Sequence, residues 1–473
     1  MSFIIGANSA VAGGFDIDNS CRFDGTSSYM TKTLGTPTSA KKGTISYWFK
    51  QGVVNTGSLK TAFSFGAEYG AINYDTGSTK GFEINLSNGN GWYKGTNTGF
   101  TARDPGAWYH LMVVVDTTQG TEANRFKFFM NGSQITFTSG NIFPSLNGDI
   151  PGWASGQVMQ VGRRSTTSGS YFDGYMAEVV FIDGSALTPS DFGEYDSDSG
   201  IWKPIDVSGL TFGTNGFYLD FKDSSNLGND VNGGTDLTET GLAATDQTTD
   251  TCTNNFSTLN PLVPSQGGYT PGTPTFAESN LKFTTDNSSS SYSRTNSTFL
   301  LTAGKWYTEI KYTNSGTIYG LIGVTGSNAT TTAAYPGVYA YDYAWYGNGS
   351  GGNFYNNNGI AAYLGAGYAN NDILGMAIDL DSGTKTIQYY KNGSAVSSAQ
   401  TIVDPATTDM SGYCITIGEW SSSTNATFEV NFGNPPYTIS SGNADDNGYG
   451  NFEYAPPSGF LAMCTKNLSE VLS

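Results

Sequence analysis

Two distant segments of the sequence carry the same local pattern. Residues 128–133 read Phe-Phe-Met-Asn-Gly-Ser, and residues 389–394 read Tyr-Tyr-Lys-Asn-Gly-Ser. Each follows an apolar run that ends on an acid, at Asp116 and at Asp379. Asn-Gly between two strand-like runs predicts a type I′ hairpin, because both central residues of that turn need positive φ. The similar spacing from acid to turn predicts two copies of one architecture.

The composition favours an all-β chain. Charged residues make up 13% of the sequence and aromatic residues 14%, while 62 residues are Gly. Few charges, many turn formers and many aromatic residues predict short strands joined by polar turns, as in a sandwich or barrel. No run repeats its apolar residues at the 3.6-residue period of an amphipathic helix. A chain of 473 residues is long enough for two or three domains with full cores.

Charge, cysteine and histidine content exclude several classes of site. The formal net charge is −18, and an acidic surface repels phosphate backbones, so we expect no nucleic-acid partner. The four cysteines form no close pair, which argues against a zinc site or a disulfide framework; Cys21 and Cys414 are expected to be small buried residues. The sole histidine, His110, leaves no multi-histidine metal site and is expected to be structural.

Targeting signals are weak. The sequence Met1–Gly6 has no basic region before its short apolar patch, so we expect synthesis in the cytoplasm without a signal peptide. No run approaches the roughly 18 apolar residues that a membrane span needs, so no membrane insertion is expected.

The strand signals divide the chain into five regions. We predict an N-terminal arm over 1–19, a first sandwich over 20–204, a connector over 205–274, a second sandwich over 275–436 and a tail over 437–473. The connector is acidic and poor in large apolar residues, so it is expected to lie extended on its neighbours. The tail is expected to pack on the second sandwich. One short helix is predicted near Leu187–Phe192, with Thr188 as its N-cap and Pro189 at its first position.

The first sandwich resembles a laminin-G-like domain of the concanavalin A-like lectin type. The residues that carry the resemblance are Phe23-Asp24-Gly25, Ile45–Phe49, Trp108–Asp116, Met130-Asn131-Gly132, Asp173–Glu178 and Leu187-Thr188. The second module resembles a SPRY domain, which is also a concanavalin-like sandwich, over Gly304–Ile310, Tyr319–Val324, Ile373–Asp381 and Phe428–Gly433. The resemblance implies an all-β fold of two concanavalin A-like antiparallel β-sandwich (jelly-roll) domains joined by an extended acidic connector.

The module order and the segments Ala455–Phe460 and Cys464–Leu468 resemble virion surface proteins of marine bacteriophages. This resemblance implies a non-catalytic fibre, spike or head-decoration subunit on the virion surface that binds host-surface glycans or receptors. Its implied partners are other virion proteins and further copies of itself. The alternatives are a purely structural capsid or tail assembly subunit without a ligand and, less favoured, a polysaccharide hydrolase.

Carboxylates do not form a predicted catalytic pair or metal site. A retaining glycosidase needs two carboxyl groups about 5–5.5 Å apart. Glu178 and Asp183 are at an odd spacing that puts them on opposite faces of a strand, and Asp379 and Asp381 border a turn. Acidic clusters, which could suggest calcium, lack the spacing of a known loop and are expected to be turn residues; they are Asp223/Asn226/Asn229/Asp230 and Asp445/Asp446/Asn447. We therefore predict no enzymatic activity and no cofactor.

Aromatic residues supply the candidate ligand site. Between 335 and 368 they alternate with Gly and Asn, and those at 339, 341, 343 and 345 have period 2, so they would share one strand face. Such a face suits sugar rings or a protein interface, and it equally suits a buried core. The predicted ligand-binding residues are Tyr339, Tyr341, Tyr343, Trp345, Tyr346 and Tyr355, with Trp92 and Tyr93 as the parallel candidate in the first module.

Overall fold

The chain folds into two compact units that divide between Asn255 and Phe256. We call them the N-terminal unit and the C-terminal unit. The computed structural model describes residues 14–52, 59–66, 70–75, 82–87, 92–97, 102, 104–136, 139–164, 170–262, 274–286, 292–314, 316–328, 334–347, 351–420 and 425–471. For residues 70–97 it describes the backbone and, among side chains, only that of Ile72.

The N-terminal unit consists of strands and single 3-10 turns. Its strands are β1 (Ser20–Asp24), β2 (Tyr29–Thr33), β3 (Lys42–Gln51), β4 (Leu59–Phe65), β5 (Gly70–Asp75), β6 (Phe82–Ser87), β7 (Trp92–Asn97), β8 (Trp108–Asp116), β9 (Phe126–Met130), β10 (Ser133–Ile135), β11 (Ser139–Ile142), β12 (Val158–Val161), β13 (Asp173–Asp183), β14 (Gly193–Tyr195), β15 (Trp202–Pro204), β16 (Phe217–Leu219), β17 (Thr238–Thr240) and β18 (Gln247–Thr248). The 3-10 turns are Glu122–Asn124, Pro151–Trp153, Pro189–Asp191 and Ala244–Asp246.

Two antiparallel sheets face each other across the core of this unit. One has the order β10-β9-β8-β3-β13-β1-β18, with β16 added beside β13, and the other has the order β11-β7-β6-β5-β4-β12-β2-β17. Alternation along each strand sends one set of side chains inward. In β3, for example, Ile45, Tyr47 and Phe49 join the interior, while Trp48 lies in a separate cluster.

The C-terminal unit is also almost entirely strand. Its strands are β19 (Thr275–Ala277), β20 (Lys282–Thr284), β21 (Tyr292–Asn296), β22 (Lys305–Asn314), β23 (Gly320–Gly326), β24 (Asp342–Tyr346), β25 (Asn353–Asn356), β26 (Gly359–Tyr363), β27 (Ile373–Asp379), β28 (Thr386–Lys391), β29 (Ser394–Ala395), β30 (Gln400–Thr401), β31 (Tyr413–Trp420), β32 (Ala426–Asn431) and β33 (Leu461–Ala462). A 3-10 turn spans Pro405–Thr407, and helix α1 spans Thr465–Val471.

The C-terminal unit repeats the strand order of the N-terminal unit. Its sheets have the orders β19-β20-β32-β22-β27-β28-β29 and β21-β31-β23-β24-β25-β26, with β30 beside β28 and β33 beside β22. Matching the strands in chain order, β1-β13-β3-β8-β9 corresponds to β20-β32-β22-β27-β28, and β2-β12-β4-β5-β6-β7 corresponds to β21-β31-β23-β24-β25-β26. Both units are therefore antiparallel β-sandwiches of one topology, and the prediction of two copies of one architecture is confirmed.

Both predicted Asn-Gly hairpins are confirmed. Asn131 and Gly132 have φ of 48° and 76°, and Asn392 and Gly393 have φ of 48° and 77°. Each asparagine also bonds twice to one residue of the neighbouring strand. Asn131 donates its N–H to the carbonyl of His110 and accepts the N–H of His110 on Oδ1. Asn392 makes the same pair of bonds with Ile373, so the motif fixes the hairpin to the sheet as well as closing it.

The acid before each hairpin is equivalent as well. The Asp116 carboxylate accepts the N–H of Thr118 and pairs with Lys42, the residue opposite it in the register, at 3.4 Å. The Asp379 carboxylate accepts the N–H of Asp381 and pairs with Lys305, again the residue opposite it, at 3.1 Å. These acids cap turns, as acidic residues at strand ends commonly do.

The segment predicted as a connector, 205–274, is shared between the units. Its first part contributes β16, β17 and β18 to the sheets of the N-terminal unit. Its few large apolar residues, including Phe217, Leu219 and Leu237, are buried in the core that the first sandwich already provides. Such a segment can be ordered although it is too poor in apolar residues to fold alone. In the tail, β33 pairs with β22 in parallel, and Phe452 is buried against Tyr307.

The short helix predicted after β13 is a single 3-10 turn over Pro189–Asp191. Thr188 precedes it, and the Asp191 carboxylate accepts the N–H of Thr188 at 2.8 Å. The N-terminal cap is thus confirmed, but the helix is shorter than its signal suggests. Among the described residues, helix α1 is the only α-helix.

Candidate functional site

Five aromatic side chains cluster on the outer face of the six-stranded sheet of the C-terminal unit. They are Tyr292 of β21, Tyr335 of the loop before β24, Tyr346 of β24, Tyr355 of β25 and Trp420 at the end of β31, and we call them the aromatic patch. Leu321 and Ala344 lie in the same cluster and are fully buried. The patch therefore has an apolar base that belongs to the sheet itself.

Alternation along the strands places the patch outside the sandwich. In β24, Tyr343 and Trp345 belong to the interior cluster, whereas Ala344 and Tyr346 belong to the outer one. In β31, the side chains of Ile415 and Ile417 face the interior. Because side chains alternate along a strand, the side chain of Trp420 lies on the opposite, outer face.

Tyr335 is at the centre of the patch. Its ring stacks on Trp420 with centroids 5.1 Å apart and planes at 20°. It contacts Tyr292 with centroids 5.3 Å apart, and it meets Tyr355 edge to face at 6.4 Å. Tyr346 lies under both Trp420 and Tyr355, at 5.9 Å and 5.6 Å. Offset and edge-to-face contacts of this kind add to area burial, so the rings hold one another in place.

Asparagines of the β25–β26 turn hold the loop that carries Tyr335. Asn357 and Asn358 have positive φ, 51° and 59°, as a two-residue type I′ turn requires. Asn358 accepts a hydrogen bond from the Tyr335 hydroxyl at 2.8 Å and donates its N–H to Gly337. Asn356 donates to the carbonyls of Ala340 and Asp342 at 2.8 and 2.9 Å. The loop is therefore positioned before any ligand arrives.

A buried ion pair lies on the same face. Arg294 donates to both carboxylate oxygens of Asp342, at 3.0 and 3.3 Å, and also to the Thr416 hydroxyl. Asp342 is fully buried and Arg294 is 5% exposed. Bidentate geometry with further hydrogen bonds offsets the cost of burying both charges. The pair links β21, β31 and β24, the strands that carry three of the patch residues.

The patch offers an apolar, flat surface with polar groups beside it. Trp420 is 38% exposed, whereas Tyr335 is 9% exposed and Tyr346 is buried. Burial and the neighbouring Tyr355 and Tyr292 raise the pKa of Tyr335, so its hydroxyl stays neutral. Ligand sites combine apolar and aromatic walls with a few fixed hydrogen-bonding groups, and Trp420 with Asn358 provides that combination.

The structure corrects part of the predicted binding face. Tyr343 and Trp345 are 5% and 0% exposed in the interior of the sandwich, so the period-2 stripe is a core face at these positions. Tyr339 and Tyr341 precede β24 and are half-buried, and Tyr341 packs against the same interior cluster as Tyr343 and Trp345. Tyr346 and Tyr355 do belong to the patch. The backbones of Trp92 and Tyr93 lie in β7, but their side chains lie outside the described residues.

Three patch residues were absent from the predicted site: Tyr292, Tyr335 and Trp420. Alternation offered a signal for Trp420, since Ile415 and Ile417 identify the buried face of that strand and leave Trp420 on the other. Tyr335 opens the Tyr-rich stretch 335–368, but its stacking on Trp420, and the position of Tyr292 opposite Trp420, depend on how distant segments pair.

The N-terminal unit has a small pocket on the outer face of β3, β8 and β13. Ser46, His110 and Glu178 line it together with apolar side chains that include Val207. Glu178 lies at a bulge in β13 with φ of 49°, and it accepts the Tyr218 hydroxyl at 2.7 Å. Burial raises the pKa of Glu178 to about 7.

His110 is held as a structural residue, as its strand context predicts. The Trp202 indole N–H, which can only donate, bonds to Nδ1 at 3.1 Å. Nε2 therefore carries the proton and donates to the Ser46 hydroxyl at 2.7 Å. Burial lowers the pKa of His110 to about 3. A histidine in this tautomer does not accept the proton of Ser46, so the pair is not an activated serine nucleophile.

Acidic residues in turns bind local donors. Asp223 accepts the N–H and the hydroxyl of Ser225, and Asp445 accepts the N–H groups of Asn447 and Tyr449. Asp223 therefore acts in its own turn, as predicted, whereas Asp230 and Asp445 also bind distant partners: Asp230 pairs with Lys32, and Asp445 accepts the Ala462 N–H. Among the described residues, no group of three or more His, Cys, Asp or Glu side chains could hold a metal ion. The four cysteines are free and buried. No helix within the described part of the chain is long and apolar enough to cross a membrane.

Comparison with known proteins identifies a similarity in the N-terminal unit. Residues 24–191 match the family model of the concanavalin A-like lectin/glucanases superfamily. A search of curated proteins gave no match.

Three solved structures that are similar to parts of this chain come from different kinds of protein. A human SPRY domain is 16% identical, with 34% of this chain and 96% of that chain covered and a TM-score of 0.26. A putative carbohydrate binding protein from Bacteroides ovatus is 16% identical, with 48% and 58% covered and a TM-score of 0.32. Domain 4 of the arabinanase AbnA from Geobacillus stearothermophilus, in complex with arabinotriose, is 23% identical, with 39% and 82% covered and a TM-score of 0.27.

None of these TM-scores reaches 0.5, so the structural likenesses establish no shared ligand or activity. The family match stands on the sequence and covers the first sandwich. The N-terminal unit is thus similar to the concanavalin A-like lectin/glucanases superfamily, and the C-terminal unit repeats its strand order.

Proposed function

We propose that this protein is a non-catalytic binding protein whose aromatic patch takes a saccharide. The observation that carries the proposal is Trp420, which is 38% exposed while its ring is fixed by stacking on Tyr335. An immobilised aromatic ring can stack on the apolar C–H face of a sugar ring without losing much side-chain entropy on binding. Asn358, next to the patch, is exposed and provides amide groups for sugar hydroxyls.

A binding role rather than hydrolysis is supported by the separation of the candidate acids. Glu178 bonds to Tyr218 on the outer face of its sheet. The Asp183 carboxylate accepts the N–H groups of Thr38 and Asn215, at 2.8 and 3.0 Å, at the end of the same strand. Their different donors separate these two carboxylates, whereas a glycosidase needs a pair that shares one substrate position.

The proposed setting is the surface of a bacteriophage virion, where the saccharide would belong to the host cell surface. The support is the resemblance in module order and tail sequence, together with a strand-rich chain of net charge −18. The second candidate is a capsid or tail assembly subunit, and the exposed edge strand β26 favours it.

The test is a glycan array followed by calorimetric titration of any saccharide that binds the full chain. The Trp420→Ala variant should weaken binding by at least about tenfold, since a central aromatic contact is typically worth more than 1 kcal/mol. Tyr195→Ala is the matched control, because Tyr195 is an exposed aromatic residue of the N-terminal unit that belongs neither to the patch nor to β26. Equal affinity of the Trp420→Ala variant and the native chain would place the site elsewhere. Release of reducing ends from a polysaccharide incubated with the full chain would contradict the non-catalytic role.

A further inference from the structure

The sheet that carries the aromatic patch ends in an uncovered strand. β26 (Gly359–Tyr363) is the last strand in the order, and its outer edge faces no other strand among the described residues. Ile360 is 44% exposed and Tyr363 is 74% exposed. An edge strand of this kind presents a row of backbone N–H and C=O groups that another strand can pair with.

In the N-terminal unit, the strand equivalent to β26 is paired with a further strand. The counterpart of β26 in that unit is β7, and β7 is covered by the antiparallel strand β11. The C-terminal unit has the same strand order but no described strand beyond β26. One unit therefore completes its sheet within the chain, and the other leaves the equivalent edge open.

Charge indicates which partner fits the edge. Residues 343–371 contain no charged side chain, although the whole chain has a formal net charge of −18. Exposed edges are usually protected by lysine or proline, and β26 has neither. Two copies of an acidic chain repel each other over most of their surface, but this uncharged segment lets them approach. A basic partner would gain nothing from this segment, whereas a second copy avoids repulsion there.

We propose that β26 pairs antiparallel with β26 of a second copy across a two-fold axis, joining the two six-stranded sheets into one. A two-fold contact of this type is isologous, so each β26 supplies both donors and acceptors to the other. Tyr363 and Ile360 then become buried at the junction. Trp420 itself remains accessible, because it is on β31 and three strands lie between it and β26, although Tyr355 of the patch is on the strand next to β26.

Sedimentation velocity of the full chain from about 1 to 100 µM tests the proposal. A dimer is expected, and an Ile360→Lys/Tyr363→Lys variant should weaken dimerisation at least about tenfold, because lysine opposes pairing at an edge. Val231→Lys is the matched control, since Val231 is 44% exposed in the N-terminal unit. A native chain that stays monomeric at 100 µM, or a dimer that the double variant leaves unchanged, overturns the proposal.

A second variant covers the case in which the lysine variant fails to fold. Ala361 is exposed in the middle of β26, and the four native cysteines are buried. Ala361→Cys should give a covalent dimer with a short bismaleimide, whereas Val231→Cys should not. Absence of the cross-link overturns the proposal. Neither result depends on saccharide binding, so this proposal and the proposed function can fail separately.

Discussion

The ring of Tyr335 stacks on the ring of Trp420, with centroids 5.1 Å apart and planes at 20°. One residue lies in a loop and the other at the end of β31, and only the fold brings them together. This contact holds the ring of Trp420, which is 38% exposed, in a fixed position.

Tyr335 is expected to act on saccharide binding by positioning Trp420. Tyr335→Ala removes the stacking and should weaken binding by about tenfold, whereas Tyr335→Phe keeps the ring and loses only the hydrogen bond to Asn358. Calorimetric titration of both variants measures the difference. Equal losses of affinity in the two variants would show that saccharide binding depends on the Tyr335 hydroxyl and not on its stacked ring.

The repeated asparagines are expected to stabilise both units. Asn131→Ala loses one side-chain hydrogen bond, and Asn392→Ala loses two, because the Asn392 amide also donates to Asp372. Both place a Cβ-bearing residue at positive φ without its bond, which should cost about 1–3 kcal/mol. Urea unfolding measures the change. Glycine at either position relieves the backbone strain, although it does not restore the hydrogen bond. It should therefore destabilise the protein less than alanine does. A glycine variant less stable than the alanine variant would contradict this account.

The contribution of Glu178 to the stability of the N-terminal unit should fall as the pH rises from about 5 to 8, while buried His110, whose pKa is lowered to about 3 from the usual 6.5, contributes in the opposite direction below about pH 6.5. Burial raises the pKa of Glu178 to about 7 from the usual 4.5, so the folded state holds a proton that the unfolded chain releases at lower pH. The stabilisation is complete below the unfolded pKa and is lost as the pH passes the folded pKa, at most about 3 kcal/mol.

Glu178→Gln should remove this falling contribution, so the difference in unfolding free energy between the native chain and the variant, measured by urea unfolding at pH 5, 6, 7 and 8, should fall as the pH rises. The exposed Glu122 provides the control, and Glu122→Gln should leave the profile as in the native chain. The groups that face Glu178 include Tyr218, Asp220, Lys222 and Asp206, and none of them is altered by either change. An unchanged slope in the Glu178 variant would exclude this carboxyl as the source.

The pair of Arg294 and Asp342 should be strongly coupled. Asp342→Asn or Arg294→Met leaves one buried charge without its partner and should cost about 3–5 kcal/mol, while the double variant should cost less than the sum. A double-mutant cycle from urea unfolding measures the coupling energy. Additive losses would mean that the two charges act independently.

Much of the framework could be predicted from the sequence because it rests on local rules. Asn-Gly at 131–132 and at 392–393 closes type I′ turns wherever two strands flank it. Thr188, Pro189 and Asp191 mark a helical start, although only a single 3-10 turn follows. These signals involve neighbours in sequence, so they depend little on the rest of the fold.

Burial of the aromatic residues could not be predicted in the same way. A period-2 stripe such as Tyr343 and Trp345 defines a face, but it does not say whether that face meets the core or the solvent. The segment 205–255 was likewise predicted to lie extended on its neighbours because it is too polar to fold alone, and it adds three strands because the first sandwich supplies the core. Both outcomes depend on partners that are distant in sequence.

The sequence by itself determined the all-β class, the duplicated hairpins and the acids that precede them, because each follows from alternation and turn chemistry. Only the tertiary structure decided that Tyr335 meets Trp420, that Arg294 meets Asp342 and that no described strand covers the outer edge of β26. The physical reason is that these relationships are set by strand pairing between distant segments. A sandwich has two faces on every sheet, and local pattern alone does not distinguish the inner one from the outer.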